Sequence, residues 1–129
     1  MSPSGKDDYQ YASVTWFDSD SAKGVRFAVS RISFGRRIEF ARRMREIGRK
    51  VEFLSASDDA REKLEAAVVS AEIDRAYLDW GLADVAGLVI DGQVANPAAV
   101  IERGPIELAG EILARVKAEW SLSENERKN

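Results

Sequence analysis

The chain predicts an α+β fold with an N-terminal β-hairpin, a small second hairpin, three main α-helices and one short helix. Three observations carry that prediction. Val25, Phe27 and Val29 alternate with Arg26, Ala28 and Ser30 at the two-residue period of a half-buried strand. Asp91-Gly92 lies between two short β-prone runs and is a pair preferred by a type I′ hairpin turn. Three longer stretches repeat apolar residues every three to four positions, as amphipathic helices do. With 129 residues, 45% of them hydrophobic, the chain suits one domain around one core. We divide it into an arm over 1–10, a single α+β domain over 11–121 and a short tail over 122–129.

The arm, rich in Ser, Pro, Gly, Lys and Asp, has little to bury. Val14, Trp16 and Phe17 form the first β-prone run and residues 25–29 the second. Between them, Asp18-Ser-Asp-Ser-Ala-Lys-Gly24 reads as a polar, glycine-ended hairpin loop. Ser33 then caps a helix from Phe34 to Ile47, with Gly48 as its stop. Its wheel gathers Phe34, Ile38, Phe40, Ala41, Met44 and Ile47 on one half. Glu39 with Arg43, and Arg42 with Glu46, stand at i,i+4 on the other. Arg37 projects among the apolar positions, so it must snorkel outward or meet a carboxylate.

A second helix starts near Ser57, with Asp58 and Asp59 at the positive end of its dipole, and runs to about Trp80. It carries two apolar stripes, nearly opposite. Leu64, Ala67, Val68, Ala71 and Leu78 make one; Val69, Ile73, Ala76, Tyr77 and Trp80 make the other. A helix apolar on both sides must be covered on both, by its own chain or by another subunit. The hairpin around Asp91-Gly92 follows. Asn96 caps a short helix, with Pro97 at its first position and Gly104 at its end. Pro105 opens the last long helix, whose Leu108, Ile112, Val116 and Trp120 recur every four residues on an inward face. Ser123 and Glu126 have capping-box spacing in a tail read as a short extra turn or a mobile end.

The chain has no histidine and no cysteine. That removes the commonest general base, thiolate nucleophiles and imidazole or thiolate metal sites, so we expect no enzyme, no cofactor and no metal. Carboxylate pairs are the remaining acid–base candidates: Asp7-Asp8, Asp18 with Asp20, Asp58-Asp59, and Asp74 with Asp79. The plainer readings are an arm, a hairpin loop and a helix start, where acids are favoured for structural reasons. Asp18-Ser-Asp20 lacks the further oxygen ligands that would mark a hard-cation loop, and the nine glycines form neither a dinucleotide fingerprint nor a phosphate-binding loop. No apolar run is long enough for a signal peptide core or a membrane span, so a cytoplasmic, non-membrane protein is expected.

Charge is unevenly placed. From Ser33 to Lys50, seven cations face two acids, a local charge of +5, leaving 12 basic and 20 acidic residues, or −8, elsewhere. Arg36, Arg42, Arg43, Arg45 and Arg49 are therefore candidate nucleic-acid contacts. Against that, the arginines spread around the helix, and the acidic remainder can pair with them or draw copies together head to tail. The aromatics Trp16, Phe27, Phe34, Phe40, Phe53, Tyr77, Trp80 and Trp120 coincide with apolar faces and read most simply as core. The sharper reading makes a partner groove from Val69, Ile73, Tyr77, Trp80 and Trp120, the tryptophans acting as anchors.

Tyr77-Leu-Asp-Trp-Gly-Leu82, then Val85-Ala-Gly-Leu88, Ile90-Asp-Gly92, the Pro97-started helix and the helix from Pro105 to Trp120 form an order of elements and apolar anchors. The pattern resembles the tail assembly chaperones of tailed bacteriophages and prophages, over residues 25–120. The resemblance implies a bacterial host cytoplasm and a non-catalytic function. The client would be the long, apolar tape measure protein, bound and kept soluble by many copies until the tail tube forms. It also implies self-association.

Overall fold

The computed structural model describes residues 8–55 and 58–128, with side chains described for 8–50, 52, 53 and 58–120. Two strands, β1 (Val14–Asp18) and β2 (Arg26–Ser30), form the first hairpin and are followed by the helices α1 (Phe34–Ser55) and α2 (Ala60–Gly81). Then come β3 (Leu82–Ala86), the small hairpin of β4 (Val89–Ile90) and β5 (Gln93–Val94), and the helices α3 (Pro97–Arg103) and α4 (Ile106–Lys128). The architecture is α+β.

The first hairpin is part of a three-stranded antiparallel sheet ordered β1-β2-β3, in which Trp16 pairs Ala28, Phe17 pairs Phe27, and Phe27 pairs Val85. Strand β3 has no counterpart among the predicted elements. Its residues, Leu-Ala-Asp-Val-Ala, follow Gly81 without a turn, and it exists because β2 offers a free edge. The β2–β3 register shifts between Ala28 and Val29. As a central strand β2 buries Ala28 as well as Phe27 and Val29, with Val25 buried just before it, so the simple alternation expected of a half-buried strand breaks down there. In the small hairpin both central residues take positive φ, Asp91 at 51° and Gly92 at 79°, which is the type I′ turn its sequence predicts.

Helices α2, α3 and α4 pack on the sheet, and α4 inserts Leu108, Ile112, Val116 and Trp120 into a core shared with Phe27, Val29, Leu82, Val85 and Val100. α2 and α4 approach so closely that a methyl group at Gly81 would overlap the side chain of Val116. Asn96 caps α3 by accepting from the Ala99 N–H at 2.8 Å, with Pro97 in the first turn. α1 lies along α2 as a long helical hairpin.

Helix ends differ from prediction in three places. α1 continues past Gly48 to Ser55, because its packing along α2 outweighs the roughly 1 kcal/mol that an interior glycine costs. Asp59 caps α2 by accepting from the Arg61 N–H at 2.8 Å, while the predicted start at Ser57 lies outside the described residues. α4 runs on to Lys128, making the expected tail helical.

Candidate partner interface

The root of the α1–α2 hairpin is an aromatic joint. Phe40 of α1 meets Tyr77 and Trp80 of α2 with ring centroids 4.9 and 5.9 Å apart, and meets Trp120 of α4 at 4.3 Å. Trp80 and Trp120 stand edge to face at 6.5 Å. The Arg36 guanidinium lies 4.7 Å from the Trp80 ring centroid and donates to the Trp80 carbonyl. These contacts lock three helices together where the hairpin leaves the core.

This arrangement corrects the expected partner groove. Val69 is 2% exposed and Trp120 5% exposed, while Ile73, Tyr77 and Trp80 are half-buried and belong to the stripe of α2 that α1 covers. None of the five presents an open anchor, since the chain itself supplies their cover. Of the two expectations for Arg37, the carboxylate partner is the one not met. Arg37 meets no carboxylate among the described residues, and its Nε is buried without a hydrogen-bond partner, as are Arg36 Nε and Trp120 Nε1.

Open apolar surface lies on the outer sides of the hairpin instead. Of the first α2 stripe, Leu78 is buried, whereas Leu64, Ala67, Val68 and Ala71 are exposed, Leu64 to 71%. On α1 the six apolar positions gathered on one half of the wheel divide in two. Phe40 is buried and Met44 and Ile47 half-buried, but Phe34 is 77% exposed and Ile38 and Ala41 face solvent. Near the tip, Phe53 is 75% exposed. The split follows from helix geometry: 34, 38 and 41 lie well over a quarter turn from the line through 40, 44 and 47, too far for α2 to cover both.

The flanks of these faces are charged and unneutralised. Arg42, Arg43, Arg45, Arg49 and Lys50 are exposed and make no ion pair among the described residues. Glu39, Arg42, Arg43 and Glu46 line a shallow surface hollow without closing to ion-pair distance. On α2, Glu65 and Glu72 stand beside Leu64, Val68 and Ala71, exposed and without an ion-pair partner among the described residues. The arginine candidates for nucleic-acid contact therefore separate, with Arg36 folded against Trp80 and Arg42, Arg43, Arg45 and Arg49 open to solvent.

Four of the candidate carboxylates are occupied locally. Asp18 pairs Arg26 at 3.3 Å, Asp74 pairs Lys117 at 2.9 Å, Asp79 faces Arg75 at 3.8 Å, and Asp59 is a helix cap. Asp7 lies outside the described residues. Among the described residues no three acids gather as a metal site would require. No helix there is long and apolar enough to cross a membrane. One acid site escaped sequence reasoning. The β1–β2 loop wraps the Glu111 carboxylate: Ser19 Oγ donates to Oε1 at 2.7 Å, the Asp20 N–H to Oε2 at 2.7 Å, and Ser21 donates Oγ at 2.8 Å and N–H at 3.3 Å. Burial pushes this carboxyl up, but the four donated hydrogen bonds outweigh it and bring it down to about 2. It acts as a clamp between loop and helix. Capping-type serines flag such a loop, but its partner some 90 residues away leaves no sequence signal.

Comparison with known proteins finds no matching family model, no matching curated protein and no matching solved structure.

Proposed function

We propose that this chain is a non-catalytic assembly chaperone of the phage tail type, which binds an apolar, helix-forming client such as a tape measure protein and keeps it soluble. The observation that supports this reading is the α1–α2 hairpin. It stands on a rigid aromatic joint yet leaves Leu64, Val68, Ala71, Phe34, Ile38 and Phe53 uncovered, more apolar surface in one element than solubility favours. Such a surface fits an amphipathic or apolar helix laid along it, with the flanking charges holding the complex in solution. Reversible burial of that surface is the whole mechanism. It needs no active site.

The test is coexpression with a long, aggregation-prone coiled-coil protein of the tape measure type. The chaperone reading expects the client in the soluble fraction with this chain and in the pellet without it. It also expects Leu64→Ser with Val68→Ser to return the client to the pellet while leaving the fold intact. A client equally insoluble with and without the chain would sink the proposal.

The unneutralised cations of α1 favour one second reading, a nucleic-acid-binding regulator that uses Arg42, Arg43, Arg45 and Arg49. It requires retention of DNA or RNA that weakens steeply with salt and vanishes when these arginines become Glu.

A further inference from the structure

The two outer faces of the helical hairpin match one another. On α1, the exposed residues Phe34, Ile38, Ala41 and Arg45 are spaced by four, three and four residues, the spacing of a coiled-coil seam, with the first three members apolar and an arginine at the end. On α2, the exposed positions 64, 68, 71 and 75 repeat the same spacing. The position just after the first and third member of each seam then flanks it at heptad intervals. On α2 those flanks hold Glu65 and Glu72; on α1 they hold Gly35 and Arg42, and the same heptad line continues one step past the seam to Arg49. Arg42, Arg49, Glu65 and Glu72 are exposed, and none has an ion-pair partner among the described residues.

We propose that the occupant of these faces in the client-free protein is a second copy of this chain, the α1 seam of one copy packing antiparallel on the α2 seam of the next. Antiparallel pairing brings equivalent flanks together, so Arg42 faces Glu72 and Arg49 faces Glu65 at the shared seven-residue spacing. Phe34 at one end of the α1 seam then meets the stem of Arg75, and Arg45 at the other meets the rim formed by Leu64 and Glu65. Parallel pairing puts the two flanks on opposite edges of the contact, and α1 against α1 sets like charges side by side, so both are disfavoured. Each seam lies on the side of its helix turned away from the other helix, so one contact leaves a free seam at each end. The association is head to tail.

The contact also gives the client reading a resting state, in which a copy covers the surface until a client helix replaces it. It does not depend on that reading. The test uses the full chain alone in sedimentation velocity and light scattering over a range of concentrations, with circular dichroism to confirm that each variant is folded. The native chain is expected to grow in mass with concentration and to dissociate at about 1 M salt, where the screening length falls to about 3 Å. Arg42→Glu with Arg49→Glu, and separately Glu65→Arg with Glu72→Arg, should each weaken association about tenfold or more. Mixing the two charge-reversed proteins should restore it, because each then meets its complement. A monomer at every concentration would overturn the proposal. So would an oligomer indifferent to both reversals, or one that mixing fails to restore. Because no client is present, a failed client assay bears on the proposed function and leaves this result intact.

Discussion

Glu111 shows how one side chain can fix the placement of two elements far apart in sequence. Its carboxylate collects four hydrogen bonds from Ser19, Asp20 and Ser21, so the β1–β2 loop is held on α4 by an acceptor that works best when ionised. Its folded pKa lies below its ordinary value of 4.5, at about 2, so its contribution is complete above pH 4.5 and is lost as pH falls toward 2. Glu111→Ala should therefore cost about 2 kcal/mol at neutral pH and flatten the acid limb of stability over that window, as read by urea denaturation at stepped pH. An acid limb identical to that of the native chain would show that the clamp contributes nothing. Gly81 is a second decisive position. Its missing side chain admits Val116, and Gly81→Ala should destabilise the fold by about 1–3 kcal/mol, since the added methyl must displace either α4 or Val116. Relief by the compensating change Val116→Ala is expected in the same denaturation series.

Among the elements, α2 separates what a sequence can tell from what it cannot. Two nearly opposite apolar stripes are legible from spacing alone, and so is the conclusion that both need a cover. Which stripe the chain covers is not legible, because that depends on where α1 lies, and α1 itself presents apolar residues over about half its circumference. The tryptophans were therefore readable as core or as partner anchors, and the structure spends Trp80 and Trp120 on the internal joint with Phe40. Capped and turn-marked pieces were the most legible: the Asp91-Gly92 turn, the Asn96-Pro97 helix start and the four-residue repeat of α4 depend on local chemistry. Strand β3 and the extension of α1 through Gly48 depend on a neighbour and were not. The division of α2 makes an opposed pair of expectations. Trp120→Ala should cost about 3–5 kcal/mol by removing the centre of the joint. Leu64→Ser with Val68→Ser should change folding stability by no more than about 0.5 kcal/mol per site while abolishing client retention, since neither side chain is covered within the chain. Equal stability losses for both variants would mean that the outer stripe is buried in the working fold.

The molecule as assembled has a polarity that no single helix has. The segment 33–50 carries +5 and the rest −8, the cations on α1 meet no ion-pair partner among the described residues, and the matching acids sit on the opposite side of the same hairpin. A symmetric pair would have to engage both seams of both copies at once, which back-to-back faces forbid; a head-to-tail series engages one seam at a time. The two geometries are separable by blocking one seam per chain. Ile38→Glu blocks the α1 seam and Val68→Glu the α2 seam, both at exposed positions where the fold tolerates a charge. Each variant alone is expected to remain a monomer of 14.3 kDa, because every contact needs one seam of each kind. Mixed together, they keep one working α1 seam and one working α2 seam between them, so the mass should double and grow no further at any concentration. Unlimited growth of the mixture, or a stable dimer of either variant alone, would show that copies meet through some other surface.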